Sequence, residues 1–431
     1  MPQLLFLELN EIIFPYLEKY IARGHLPTFA KLFRQYGYVE TQSEEKFSEI
    51  EPWIQWVSIH TGKTFKNHGV FRLGDIIGRE HLQIWEHLEQ QGCRVGAISP
   101  MNAENRLKNA CFFMPDPWTE TLGSGSFLFL RLYEAIKQTV NDNAQKQMTL
   151  RSVIYLTLGW LWYSRMSSLP SYARAFLQAL RGHRWAQAVF LDRFLGDIFL
   201  KLSRKTRPNY ASLFLNAAAH IQHHYLYSSR AYEGGHENPE WYMARHIDPL
   251  LEAYRVYDEV VGNALEMPNA PRIMIATGLK QEPHGKITFF YRFKDHQAFF
   301  RKLGVEFVKI NTLMSRDFVM EFDSTEKAVL TAQILLEATD LNGTKLFTVD
   351  NRGSSLFVEL VYSTEIKPGL SVKIADQTVS DFHQHVAFVA IRNGQHNGSG
   401  YFLDTGNRAE GKATELPVSD IWSRVDTAVL G

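Results

Sequence analysis

Three apolar segments, each followed at once by polar residues, constrain the fold of this chain most. They are residues 3–9, 208–215 and 272–276. Continuous apolar runs of this length are typical of strands buried on both faces, and stretches with helical periodicity separate them. Alternating strands and helices predict an α/β fold with a mostly parallel sheet. Because the carboxyl ends of parallel strands meet along one edge, we expect the polar residues there to line a single crevice.

The polar residues that follow these segments are the first candidates for a functional site. Asn10 and Glu11 stand where ligands bind in open α/β sheets, although they could instead cap the first helix. The histidines after the second segment could bind a metal or could be satisfied by hydrogen bonds in a polar crevice. The candidates are Asn10, Glu11, Asn216, His220, Gln222, His223, His224, Thr277, Lys280 and Gln281.

A second candidate region is the stretch from Glu51 to Gly62. Pro52 is well suited to a first helical turn, and Gly62 is a typical helix end, so the stretch predicts a helix that begins after Glu51. The amino terminus of such a helix favours an anion such as phosphate. Glu51 could be a catalytic or ligand carboxylate, or could simply interact with the helix dipole. Trp53 could stack on a substrate or serve only packing.

Composition limits the classes of partner. The formal net charge is zero, which gives no reason to expect a nucleic acid as the main partner, so an anion site must be local. Two cysteines, Cys93 and Cys111, cannot form a disulfide framework, and no basic leader with a cleavage site precedes the first strand. The expected location is the cytoplasm. The sequence makes no prediction of oligomeric state.

Two insertions are predicted within the α/β core. Residues 118–200 form a helical cap rich in aromatic residues, and residues 297–385 form a small α+β insertion, which leaves 1–117, 201–296 and 386–431 as the core. The longest apolar run of the cap, 152–163, is shorter than the ~20 residues needed to cross a bilayer. The cap could be a packed helical insertion, or it could contact a membrane surface or a partner chain.

Five motifs in a fixed order carry a resemblance to a known family. Each is weak alone, but their order resembles the alkaline-phosphatase-like superfamily, close to its type I phosphodiesterase/nucleotide pyrophosphatase branch. The resemblance covers most of the chain outside the two insertions. The motifs are Gly24-His25-Leu26-Pro27-Thr28-Phe29, Trp56 to Gly62 with Asn67-His68-Gly69, Arg207-Pro208 before the histidine cluster, the helix from Tyr254 to Leu265, and Gly394-Gln395-His396-Asn397-Gly398.

The resemblance implies a three-layer fold with a central, mostly parallel sheet. It also implies two divalent metals, commonly zinc, held by Asp and His, and a Thr, Ser or modified Cys that attacks a phospho- or sulfo-ester. The metal positions fall on Asn10, His220, His224 and His396, with Ala219 and His223 as the other register of the middle pair. Glycines around His396 permit a tight loop near a ligand.

The resemblance also shows where this chain departs from the family. The nucleophile position falls within residues 50–52, where Glu51 is the only functional side chain and Ser48 is the nearest hydroxyl. The usual Ser-Asp-His-Gly falls on residues 276–279, which lack both ligands. Catalytic roles are therefore predicted for Glu51 and Lys280, and substrate contacts for Glu11, Trp53 and Gln281.

Two functions follow from these expectations. The first is a metal-dependent hydrolase or transferase of small-molecule or lipid-linked phosphate esters, phosphodiesterase-like, with an altered active site. The second is a catalytically inactive relative that binds an anion or acts as a scaffold. The missing acidic ligands favour the second function, since a two-metal site needs negative charge to hold its cations.

Overall fold

The computed structural model describes residues 3–44, 46, 49–141, 148–313, 316–407 and 415–431. Ser48, the nearest hydroxyl to Glu51, lies outside them. The α-helices of the described residues are α1 (Phe14–Ala22), α2 (Pro27–Tyr36), α3 (Pro52–Thr61), α4 (Phe65–His68), α5 (Ile84–Gln90), α6 (Phe127–Asn141), α7 (Leu150–Tyr163), α8 (Leu169–Leu180), α9 (Trp185–Thr206), α10 (Ala217–Tyr225), α11 (Pro249–Leu265), α12 (His296–Lys302), α13 (Thr325–Glu337) and α14 (Ile421–Leu430).

The strands belong to one large sheet and three small ones. They are β1 (Leu4–Leu9), β2 (Val39–Gln42), β3 (Val95–Ile98), β4 (Phe112–Met114), β5 (Tyr210–Leu215), β6 (Arg272–Ala276), β7 (Lys280–Phe293), β8 (Lys309–Thr312), β9 (Asp317–Glu321), β10 (Thr339–Asp340), β11 (Phe347–Asn351), β12 (Ser355–Leu360), β13 (Val372–Ile374), β14 (Gln377–Val379), β15 (Val386–Asn397), β16 (Ser399–Asp404) and β17 (Leu416–Pro417).

The large sheet has eight strands in the order β17-β2-β16-β6-β1-β5-β3-β4. Only the two pairings of β16 are antiparallel, and every other neighbouring pair is parallel. The strand β1 lies between β5 and β6, so the three apolar segments of the sequence are adjacent strands. The prediction of an α/β fold with a mostly parallel central sheet is confirmed.

The large sheet has a hydrophobic core on each face. Successive side chains of a strand point to opposite faces, and in β1 Leu5, Leu7 and Leu9 pack with residues of α1, α2, α9 and α11. Leu4 and Phe6 pack instead with residues of α3, α5 and α14. Helices therefore cover both faces, and the prediction of three layers is confirmed.

The chain folds into two compact units. The first unit comprises Met1–Gly234, Glu240–Glu282 and Gly394–Gly431, and it contains the large sheet together with α6, α7 and α8 of the predicted cap. The second unit comprises Gly235–Pro239 and Pro283–Asn393. It has its own apolar core and a four-stranded antiparallel sheet in the order β11-β12-β9-β8, and the predicted α+β insertion at 297–385 lies within it.

Among the described residues, no helix combines the length and the apolar character that crossing a membrane requires.

Candidate metal centre

The carboxyl end of β1 places a glutamate at the edge of the large sheet. The backbone N–H of Asn10 donates to Leu215 O, and that of Glu11 donates to Thr277 O, each at 3.0 Å. The ends of β5 and β6 therefore hold this turn from both sides. Glu11 has a φ of +59°, a left-handed conformation that is costly for a residue with a side chain. Such strain persists where the surrounding structure imposes it, as it often does at functional sites.

Glu11, His223 and His396 converge on one point, and we call them the Glu-His-His cluster. Glu11 Oε2 lies 3.2 Å from His223 Nε2 and 3.4 Å from His396 Nε2. The two Nε2 atoms lie 3.2 Å apart. Among the described residues, this is the group of three His, Cys, Asp or Glu side chains whose ligand atoms come close enough to share a metal ion.

Different parts of the fold supply the two histidines. His223 lies on α10, the helix that follows β5, and His396 lies near the end of β15, where the chain returns to the first unit. Gly394 makes the approach of this strand possible. A Cβ at that position would lie 2.1 Å from Gln281 Oε1 and 2.8 Å from Gln222 O, so a side chain would displace the neighbours of Glu11.

Hydrogen bonds fix both carboxylate oxygens of Glu11. Gln281 Nε2 donates to Glu11 Oε2 and also to Ala219 O. Asn10 Nδ2 donates to Glu11 Oε1 at 2.9 Å. Gln222 Nε2 donates to Glu11 O at 2.7 Å, so the main chain of this residue is held as well. The carboxylate is therefore pre-oriented toward the two imidazoles.

Opposite charges set the protonation of the cluster. Burial alone would raise the pKa of Glu11, but His396 and His223 outweigh it and hold that pKa well below its usual range. Burial alone would lower the pKa of His396, but Glu11 and Glu51 raise it to about 10. Without a cation, the cluster therefore holds a carboxylate against a protonated imidazole.

The residues of the cluster fit a divalent cation. Ligand atoms arranged tetrahedrally at zinc–nitrogen and zinc–oxygen distances are on the order of 3.3 Å apart, close to the three separations measured here. Two imidazoles and one carboxylate also match the donor set of catalytic zinc sites, which keep a fourth position open. Glu51 Oε2 lies 3.3 Å from His396 Nδ1, the outer carboxylate that a metal-binding histidine commonly has.

Asn10, which the resemblance placed among the metal ligands, makes three hydrogen bonds through its side-chain amide. Its Oδ1 accepts the indole N–H of Trp56 at 2.7 Å, and its Nδ2 donates to Asn216 Oδ1 at 2.8 Å as well as to Glu11. The amide is thus fully used in hydrogen bonds, and it orients the carboxylate next to it. Glu11, predicted to contact substrate, is the residue after β1 that joins the histidines.

His220 and His224, also predicted as metal ligands, lie on the helix that carries His223. They are four residues apart on α10, with ring centroids 5.0 Å apart, but neither is part of the Glu-His-His cluster. The helix instead turns His223 toward Glu11. The register through Ala219 and His223, left open by the sequence, is therefore the one that brings a histidine to the cluster.

The remaining predicted residues lie around this centre in different ways. Glu51 is the residue before α3 and contacts His396, and Gln281 contacts Glu11. The Lys280 ammonium lies 5.5 Å from the centroid of the Tyr401 ring, where it can make a cation–π contact. The indole of Trp53 donates to Phe71 O at 3.1 Å, which gives it a structural contact.

Two side chains that support the centre, Gln222 and Trp56, were not predicted to do so from the sequence. Gln222 accepts a hydrogen bond from Tyr254 OH at 2.7 Å while it donates to Glu11 O, so it ties α11 to the centre. Trp56 is fully buried and holds Asn10. The position of Gln222 between His220 and His223 was a usable signal in the sequence. For Trp56, the sequence does not distinguish a hydrogen bond to Asn10 from ordinary packing.

No family model matches the sequence, and a search of curated proteins finds no match. Solved structures do match. Phosphonoacetate hydrolase from Sinorhizobium meliloti 1021 is 12% identical, with 99% of this chain and 96% of that chain covered and a TM-score of 0.47. Human ectonucleotide pyrophosphatase / phosphodiesterase 5 is 11% identical, with 99% and 94% covered and a TM-score of 0.46. Alkaline phosphatase from the Antarctic bacterium TAB5 is 8% identical, with 99% and 98% covered and a TM-score of 0.41.

These identities are low, so the chemistry of this chain depends on its own side chains. The similarity to these three structures extends over nearly the whole length of the chain.

Proposed function

We propose that this protein is a hydrolase of phosphate esters that uses one divalent cation, with zinc the first candidate, held by Glu11, His223 and His396. The observation that carries the proposal is the convergence of three ligand atoms within 3.4 Å of one another at the carboxyl edge of the large sheet. A bound cation supplies a Lewis acid for a phosphoryl oxygen and lowers the pKa of a coordinated water.

The carboxylates of the centre favour a phosphodiester over a monoester. Glu11 and Glu51 together offset the two positive charges of a divalent cation, so the loaded centre is close to neutral. A phosphate monoester carries between one and two negative charges at neutral pH, because its second pKa is about 6, whereas a diester carries one. The smaller charge is the easier one to accept without further cations. A small-molecule or lipid-linked phosphodiester is therefore the proposed substrate class.

In this proposal, Glu51 acts as a general base at the position where the family has its hydroxyl nucleophile. Its side chain is 33% exposed, whereas that of Glu11 is 2% exposed, so water reaches Glu51. We assign to Glu51 two tasks: orienting the His396 ring through Nδ1, and accepting the proton of an attacking water. Direct attack by water requires no covalent intermediate, which agrees with Glu51 being the only functional side chain within residues 50–52.

Metal content and turnover test the proposal together. Purified protein is dialysed against zinc or manganese, its bound metal is measured by mass spectrometry, and hydrolysis of bis-p-nitrophenyl phosphate is compared with that of p-nitrophenyl phosphate. We expect about one cation per chain and faster hydrolysis of the diester. His223→Ala should lose both the cation and the activity, since removal of a ligand from a three-ligand site weakens binding severely.

A matched control lies on the same helix. His220→Ala removes an exposed imidazole outside the Glu-His-His cluster and should keep both metal and activity. Loss of metal in His220→Ala but not in His223→Ala would contradict the assignment of ligands. Bound metal without turnover of either ester would favour the second function, a non-catalytic protein that binds an anion at this centre.

A further inference from the structure

Helix α7 exposes six large apolar side chains to solvent, while Tyr163 at its end is buried in the core. Ser152 and Gly159 are buried, and a Cβ at Gly159 would lie 2.7 Å from Leu132 Cδ1, so α7 packs tightly on α6 through this side. The other side is exposed and follows helical spacing. Its large apolar residues are Leu150, Val153, Ile154, Leu158, Leu161 and Trp162.

Helix α8 also exposes several large apolar side chains. Ser171, Tyr172 and Ala175 are buried, and the exposed apolar residues are Leu169, Phe176, Leu177 and Leu180. The rings of Trp160 and Tyr172 lie 5.8 Å apart, so the two helices are in contact. We call the exposed apolar residues of α7 and α8 the cap face. Exposed apolar patches on folded proteins commonly mark interaction surfaces.

The charge of the surrounding sequence indicates what covers the cap face. Residues 143–191 contain no Asp or Glu and six Lys or Arg, in a chain whose formal net charge is zero. Arg174 is paired with Glu259 and does not contribute free charge. Arg151, at the start of α7, and Arg181 and Arg184, beyond the end of α8, are exposed.

We propose that the cap face docks on an anionic lipid bilayer, with α7 and α8 lying in the interface. Apolar side chains would enter the headgroup region while arginines at the helix ends contact anionic lipids. Trp162 fits this placement, since Lys201 Nζ lies 4.6 Å from its ring centroid and gives the indole a cationic neighbour. A second copy of the chain is a poorer occupant, because the same cationic segment would face itself. This inference does not depend on the metal centre.

Cosedimentation of the full-length protein with vesicles tests the proposal. We expect binding to phosphatidylcholine vesicles that contain phosphatidylserine, weaker binding without phosphatidylserine, and weakening by salt. Leu150, Leu161 and Leu180 are 77%, 66% and 69% exposed, so replacing all three with serine should leave the fold intact and weaken binding by more than about a hundredfold. Arg181→Gln with Arg184→Gln should weaken it by about thirtyfold.

The matched control replaces equally exposed leucines of the second unit. Leu330 and Leu341 are 60% and 62% exposed, and Leu330→Ser with Leu341→Ser should bind vesicles like the wild type. Absence of vesicle binding, or equal binding by the cap-face variant, would overturn the proposal. A concentration-dependent dimer that the cap-face serines abolish, seen by light scattering without vesicle binding, would assign the face to a second copy instead.

Discussion

Replacing Asp192 by asparagine is expected to stabilise the protein more strongly as the pH rises. Asp192 lies on α9 and is almost completely buried. Its Oδ2 accepts two hydrogen bonds of 2.7 Å, one from the Ala217 N–H at the start of α10 and one from Tyr257 OH. This carboxyl therefore anchors the helix that carries His223. Asparagine has nearly the same shape and keeps one oxygen to accept both bonds.

The magnitude follows from the pKa of Asp192. Burial raises it from 3.8 to about 7, against the opposing effect of three hydrogen-bond donors, Ala217, Tyr257 and Asn216. Because the folded pKa is above the unfolded one, the stabilisation is fully present below pH ~4 and is lost as the pH rises through about 7. A shift of about three units corresponds to ~4 kcal/mol. Between pH 5 and pH 8, the stability difference between Asp192→Asn and wild type should grow by about 3 kcal/mol.

Urea unfolding of both proteins at several pH values measures this difference. The same substitution at an exposed carboxylate, Asp350→Asn, is the control and should show a difference that stays near zero across the range. A difference for Asp192→Asn that does not change with pH would refute the reasoning. It would mean that the hydrogen bonds to Asp192, and not its burial, decide the charge of this group.

Two further predictions concern the metal centre. Gly394→Ala should displace Gln281 and lower the metal content of the protein, because the new Cβ would lie 2.1 Å from Gln281 Oε1. The control is Gly285→Ala, where a new Cβ has nothing within 4 Å. This control should have no effect on the metal content, which is measured by mass spectrometry. Asn10→Asp should lower the melting temperature of the metal-free protein, since it replaces a 2.9 Å hydrogen bond to Glu11 by a contact between two carboxylates. Added zinc should recover most of the lost melting temperature. An equal melting temperature of this variant with and without zinc would contradict the prediction.

The main strands of the first unit and the ends of α3 could be predicted because they depend on local sequence patterns. The run 3–9 became β1, and the apolar runs after 208 and from 272 became β5 and β6, its neighbours on either side. Pro52 and Gly62 mark the start and end of α3 as predicted. The helix ends depend on residues close in sequence. The strands could be recognised because continuous apolar runs are typical of strands buried on both faces.

The side chains that meet at the centre were less predictable. The family resemblance placed the first metal position at Asn10. In the structure, the next residue, Glu11, has a left-handed backbone conformation, and its side chain is the one that meets the histidines. On α10, one residue changes the direction of a side chain by about 100°, so His223 and His224 differ in which of them faces Glu11, although they are adjacent. The chain path had to be known to within a single residue before the side chains that meet at the centre could be named.

The sequence by itself determined that apolar strands would end in polar residues, because hydrophobic periodicity and the residues that follow a strand are local properties. Only the tertiary structure decided which members of each cluster face one another. Convergence of Glu11, His223 and His396 depends on the orientation of three distant segments, which packing sets and no neighbouring residue records. The cap face is decided in the same way, since the tight contact of Gly159 with Leu132 turns the apolar side of α7 outward.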